Sequence, residues 1–198
     1  MSRRSRIVGI VLPVPERLSR LADRVRRPYD SNFERIGPHV TVLPPREVHL
    51  SRREVIDAAT QVARRTRSFP ISLGAIRTFR PVMPVVFASL RAGREELERM
   101  HRRLSRGSLH GEEIFPYVPH LTLGQKLDSK RLVRAMGLAR RVFARAGEKR
   151  WLADRLIVVE RLSENVWLPH PPITLPEAPS SRGRSGQSRS DARPRRKT

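Results

Sequence analysis

Hydrophobic positions along the chain switch repeatedly between strand-like runs and helical spacing. An aliphatic run over residues 6–12 predicts a buried strand, and Leu18, Leu21 and Val25 then recur at helical intervals between positions 15 and 27. Residues 39–43 predict a short strand closed by Pro44-Pro45. Ser51 caps a following helix, to about position 66, whose apolar stripe is Val55, Ala58, Ala59 and Val62. Strand character returns over 69–79 and 84–90, with Arg80-Pro81 turning between them. A helix over 93–104 carries Leu97, Met100 and Leu104, and residues 107–116 read as a loop. A strand over 119–125 precedes a helix opened by Asp128 or Ser129, with Leu132, Val133, Met136, Ala139 and Phe143 apolar, and residues 156–161 form a further strand. Residues 166–175 alternate like a strand, but Pro169, Pro171 and Pro172 confine it to an edge.

Strand, helix and strand over 39–79 match strand, helix and strand over 120–161. The repetition predicts an α+β fold in which two pseudo-symmetric β-α-β lobes, with antiparallel sheets, face a central cleft. Residues 1–176 then form one domain. Residues 177–198 turn to Ser, Arg, Pro and Gly without apolar period and are predicted to be a disordered basic tail.

Within the repeat, Pro38-His39-Val40-Thr41-Val42 and Pro119-His120-Leu121-Thr122-Leu123 spell the same pattern. On a strand, His and Thr two apart project from one face, roughly 6.5 to 7 Å apart, while the aliphatics point the other way. With six His and seven Thr in the chain, two such pairs arise in roughly 2% of shuffled sequences. Two imidazoles titrating near neutrality across one cleft can take a proton on one side of a phosphorus and deliver one on the other. The two threonine hydroxyls would donate to non-bridging phosphate oxygens. Suitable substrates have a ribose hydroxyl as internal nucleophile or a strained cyclic phosphate.

Cysteine is absent, which excludes disulfides, thiolate metal sites and a Cys nucleophile. The remaining histidines, His49, His101, His110 and His170, follow no metal-ligand spacing and read as exposed or structural. The apolar run after the basic N-terminus is too short for a signal segment or a membrane span, so a cytoplasmic monomer is expected. The formal charge is +22, and 37 of the 41 basic residues are Arg, a bias that GC-rich codons also produce. Residues 180–198 account for +6 of it, leaving +16 elsewhere, so a polyanion such as RNA is attracted to the body and not only to the tail.

Two His-x-Thr motifs, each after Pro on a strand, resemble the 2H phosphoesterase superfamily, the group of bacterial 2′-5′ RNA ligases and cyclic nucleotide phosphodiesterases. Arg27-Pro28-Tyr29-Asp30 ahead of the first motif resembles its YjcG-like branch. The resemblance covers about residues 6 to 165. It implies His39 and His120 as the catalytic acid–base pair, Thr41 and Thr122 as phosphate ligands, no cofactor or metal, and an RNA or cyclic nucleotide substrate. Outside the motif, Tyr117 is placed to stack on a substrate base. The same cleft used without turnover, as an RNA- or nucleotide-binding module, is the alternative reading.

Overall fold

In the computed structural model, residues 5–164 and 166–178 are described. The elements follow in the order β1 (Arg6–Pro13), α1 (Glu16–Tyr29), β2 (His39–Val48), α2 (Arg52–Arg64), β3 (Phe69–Thr78), β4 (Val86–Ala92), α3 (Arg94–Arg106), β5 (His120–Gly124), α4 (Ser129–Ala144), β6 (Arg150–Ala153), β7 (Arg155–Ser163), β8 (Val166–Pro169) and β9 (Ile173–Thr174). The strand order is β6-β3-β4-β5-β2-β1-β7-β8, with β9 beside β7. Every neighbouring pair of named strands is antiparallel. The two halves of this path touch through a single paired position, Val40 opposite Leu121.

The α+β class and the two antiparallel halves agree with the sequence. The composition of each half does not follow the β-α-β repeat. The duplicated unit is longer, β1-α1-β2-α2-β3 against β4-α3-β5-α4-β7, and its last strand crosses over. β3 pairs with β4 of the second copy, and β7 pairs with β1 of the first. Each half is thus assembled from both copies.

All four helices cover one face. Val40, Val42, Leu121 and Leu123 are fully buried there, in one core with Leu18, Ala22 and Val25 of α1, Val55 and Ala59 of α2, Leu97 and Met100 of α3, and Leu132 and Ala135 of α4. α1 packs on β5 and α3 on β2, so each motif strand is backed by a helix of the other copy. Alternation then leaves His39, Thr41, His120 and Thr122 on the opposite face, each partly buried.

Local signals account for most boundaries. Ser51 forms a full capping box with Glu54, and Asp128, not Ser129, caps α4 by accepting from the Arg131 N–H. Val133 falls off the apolar stripe and is exposed. β2 does not stop at Leu43 but runs through Pro44-Pro45 to Val48. Beyond Val40 its β5 side has no ladder partner, and the register with β1 shifts nearby, so the missing proline N–H groups cost no sheet bonds. β6, a four-residue edge strand, lies outside the sequence expectation; β8 is the edge strand its prolines imply. Glu177 and Ala178 are still tied to Arg67 and Ser68 by hydrogen bonds, and the rest of the expected tail lies outside the described residues. No helix among the described residues is long and apolar enough to cross a membrane.

Candidate active site

The proline before each motif histidine has a local consequence. A residue preceding proline is held extended, which presents its carbonyl back toward the following side chain. His39 Nδ1 lies 2.8 Å from the Gly37 carbonyl and His120 Nδ1 lies 2.6 Å from the Val118 carbonyl. A carbonyl only accepts, so in each ring Nδ1–H donates, and the neutral imidazole keeps its lone pair on Nε2. Both histidines are therefore fixed in the same tautomer by the same device.

The register between the motif strands arranges the four side chains. With Val40 opposite Leu121 in an antiparallel pair, His39 stands across from Thr122 and Thr41 across from His120. The histidines occupy one diagonal, the threonines the other. Ideal diagonal neighbours lie about 7–8 Å apart at the backbone, a gap suited to a tetrahedral group between two rings.

Two cavities adjoin this quartet and meet at Thr41. One, of 240 Å³, is lined by His39, Thr41 and Thr122 together with Arg26, Asp30 and Gln125, and it reaches Trp167. The other, of 550 Å³, is lined by Thr41 and His120 and is almost wholly apolar, with Phe79, Val82, Met83 and Phe115. Burial disfavours the charged ring and holds both histidines below the usual 6.5, while the carbonyl on Nδ1 pulls each partly back. At His39, Arg26 and the His120 ring push further down and Asp30 pushes up. His120 has an aromatic setting instead. Phe79 and Phe87 stack on each other at 4.1 Å and meet the His120 ring edge-on at 4.9 and 5.1 Å.

The profile of the 2′-5′ RNA ligase superfamily matches residues 14–165. The chain belongs to this superfamily of 2H phosphoesterases. Among curated relatives, a candidate phosphoesterase of a Geobacillus species is 28% identical over 160 residues, 80% of this chain and 90% of the relative. A candidate phosphoesterase of Bacillus pumilus is 26% identical over 170 residues, 85% and 97% of the two chains. In structure, Escherichia coli LigT complexed with 3′-AMP superposes with a TM-score of 0.61 at 13% identity, covering 87% of this chain and 99% of LigT. A Thermus thermophilus protein gives 0.58 at 18% identity, covering 86% and 98%. These superpositions show a shared fold.

For this 2H phosphoesterase the four motif residues are brought together as the sequence implied, and Tyr117 is the residue whose surroundings add most. It lines the apolar cavity, but one face of its ring is stacked on His101 at 3.8 Å, and its hydroxyl donates to the Thr41 carbonyl at 2.8 Å. Burial, and then the charges of Glu98 and Glu113, push its phenol well above the usual range, so it stays a donor. His101 Nδ1 bonds the Val42 carbonyl at 2.9 Å, and its Nε2 meets Glu113 at 2.9 Å. Burial alone would raise the Glu113 carboxyl, yet hydrogen bonds from Arg46 and Ser105 and the neighbouring His101 hold it below its usual value. Tyr117, His101, Glu113 and Arg46 thus pin the wall of the apolar cavity to the first motif strand.

The second motif strand is held in a reciprocal way. The Gln125 N–H donates to the Tyr29 carbonyl at 2.9 Å, and its side-chain amide donates to Asp30 at 2.6 Å. Asp30 also accepts from the Asn32 N–H and from Arg26 Nε, the latter at 2.8 Å in a buried ion pair. Arg46 is committed to Glu113 in the wall of the apolar cavity, Arg80 bonds the Ser129 hydroxyl at 2.9 Å, and the arginine lining the cavity beside His39 is Arg26. Arg26, Asp30, Gln125, Phe79 and Trp167 went unread; the one available signal was the i, i+4 spacing of Arg26 and Asp30 beside the branch-like Arg27-Pro28-Tyr29-Asp30 stretch. Among the described residues no cluster of three or more His, Cys, Asp or Glu is placed to hold a metal ion.

Proposed function

We propose that this protein is a metal-independent phosphoesterase acting on 2′,3′-cyclic phosphates or 2′-5′ linkages of RNA ends or nucleotides, with His39 and His120 as the acid–base pair. The crossed quartet carries this reading: two histidines of one tautomer on one diagonal, two threonine hydroxyls on the other. In hydrolysis of a cyclic ester, one Nε2 accepts a proton from the attacking water as its oxygen bonds to phosphorus. The phosphorus–oxygen bond to ribose breaks, and the departing oxygen takes the proton held by the second ring. The rings end with exchanged protonation and reset through solvent. Thr41 and Thr122 donate to the non-bridging oxygens, whose charge grows in the transition state. LigT has been solved in complex with 3′-AMP, which supports a nucleotide in a cleft of this fold.

The test is turnover in the presence of EDTA of an RNA oligomer ending in a 2′,3′-cyclic phosphate and of a 2′-5′-linked one, by wild type and by His39→Ala and His120→Ala. Product from wild type alone supports the reading. Product from either variant at the wild-type rate sinks it, and salt-sensitive binding with no product makes the cleft a nucleotide-binding module.

A further inference from the structure

We propose that the outer face of α1 and α4 is a docking surface for the backbone of an RNA whose end lies in the cleft. This rests on the phosphoesterase reading for the end that enters, and adds a surface remote from the reacting phosphate.

Charge is divided unequally between the two helix pairs. α1 and α4 together carry ten Arg or Lys and two acids, whereas α2 and α3 carry eight and five. Codon bias enriches arginine everywhere alike and does not produce this partition. On α2 and α3 most acids are spent on nearby arginines, in pairs such as Arg53–Asp57, Arg94–Glu98 and Arg99–Glu96. On α1, Glu16 pairs with Arg20 and Asp23 with the buried Arg26, while the α4 sequence contains no acid. Among the described residues, Arg24, Arg134 and Arg141 are exposed and have no carboxylate partner.

Helical spacing turns these residues into ladders. Arg17, Arg20, Arg24 and Arg27 recur every three or four positions and are all exposed, so they form one stripe about 15 Å long. α4 runs antiparallel beside it. At one end Arg131 donates to the Pro28 carbonyl at 2.7 Å, with its guanidinium 5.9 Å from the Tyr29 ring. At the other, Arg17 donates to the Glu148 carbonyl just past α4. Lys130, Arg134 and Arg141, also exposed and on one stripe, add a second row.

Two features select RNA among anionic partners. A helix that lies on a membrane sends apolar side chains into the lipid. Here both apolar stripes are spent on the core, through Leu18, Ala22 and Val25 and through Leu132, Ala135 and Ala139, and Val133 is the one large apolar side chain exposed on either helix. The ladder also ends at the cleft. Arg27 and Asp30 line one surface cavity, and Asp30 lines the cavity beside His39. An oligomer with its end at His39 can continue past Asp30 onto α1, where guanidinium forks meet phosphate oxygens without reading sequence.

The test measures, on the full chain, binding of a fluorescein-labelled RNA dodecamer ending in a 3′-phosphate and turnover of adenosine 2′,3′-cyclic phosphate. One variant combines Arg20→Gln, Arg24→Gln, Arg134→Gln and Arg141→Gln. Its control removes the same charge from equally exposed positions on the α2/α3 side, with Arg64→Gln, Arg65→Gln, Arg102→Gln and Arg106→Gln. The α1/α4 variant is expected to weaken dodecamer binding at least about tenfold at about 0.1 M salt, and to lower the slope of log K against log salt by about 3, four phosphates at roughly 0.7 each. The control is expected to weaken it by no more than about threefold, since exposed charges farther than a Debye length act weakly. Both are expected to turn over the cyclic mononucleotide at the wild-type rate. Equal weakening by the two variants, undiminished binding in the α1/α4 variant, or no binding of the dodecamer by wild type overturns the proposal. So does binding to phosphatidylglycerol vesicles that displaces the dodecamer and is lost in the same variant, which makes the face a membrane surface. Failure of the phosphoesterase reading shows separately, as unchanged turnover of the cyclic phosphate in the histidine variants.

Discussion

His39 and His120 occupy equivalent positions in a duplicated framework, each after a proline, each donating Nδ1–H to the carbonyl two residues back. Their neighbours are of opposite kinds. Around His39 stand Arg26, Asp30 and Gln125, and Gly9 lines the cavity there. Around His120 stand Phe79 and Phe87, and its cavity is apolar. Duplication therefore supplied two copies of the His-Thr pair, while residues outside the motifs gave each copy its own medium. The difference shows how a symmetric backbone can carry an asymmetric cleft: the motif geometry is shared, and the surroundings differ.

The comparison is broken most directly by removing one ring at a time. His39→Ala and His120→Ala are each expected to lower kcat/KM by about 10²–10⁴, with the double variant little worse than the more damaged single one, because the proposed acid and base act in the same step. A large loss in one and none in the other would mean that the copies do not work as a pair. Next come the threonines. Thr41 borders both cavities and Thr122 only one, so Thr41→Val is expected to cost about 10²-fold in kcat, and Thr122→Val no more than that. Single-turnover rates on one substrate rank them.

The polar surroundings of His39 also have a structural price. Arg26 and Asp30 side chains are 3% and 2% exposed, so Asp30→Ala strands a buried guanidinium and is expected to lower stability by about 3 kcal/mol in urea denaturation. Phe79→Ala has no such charge to strand and acts on His120 through solvation. It should let the His120 pKa rise toward 6.5 while leaving His39 in place, which imidazole NMR titration reads ring by ring.

The smallest effects concern pH. The proposed mechanism needs one ring neutral and the other charged, and both are held below 6.5, so the kcat/KM profile is expected to be bell-shaped with its maximum below pH 6.5. The same shift bears on stability. Unfolded rings bind protons near 6.5 and folded ones only at lower pH, so the unfolded chain holds more protons in that window. Stability is level above 6.5 and falls as pH drops through it. Replacing both histidines should flatten that part of the stability curve, measured by denaturant midpoints across the window.

Much of this was written in short stretches of chain. The period-2 run at each motif puts His and Thr on one face, the preceding proline orients the carbonyl that selects the tautomer, and the helical stripes from Leu18 to Phe143 define one core face. These properties depend on neighbours within a few residues, so they can be read without knowing the fold. The expectation for Tyr117 was legible only in part: its position beside the second motif put it at the cavity, but nothing local announced that His101 covers its ring or that its hydroxyl bonds a carbonyl 76 residues away.

The sequence by itself determined that there are two matched His-Thr strands, backed by apolar helices, in a duplicated α+β chain. Only the tertiary structure decided that the last strand of each copy crosses to the other half, that a single Val40–Leu121 pair sets histidine across from threonine, and that Arg26, Phe79 and Trp167 arrive at the same cleft. The physical reason is range. Strand alternation and proline sterics act over a few bonds and repeat wherever the motif repeats, whereas register, strand exchange and cavity lining are settled by packing among residues far apart in sequence.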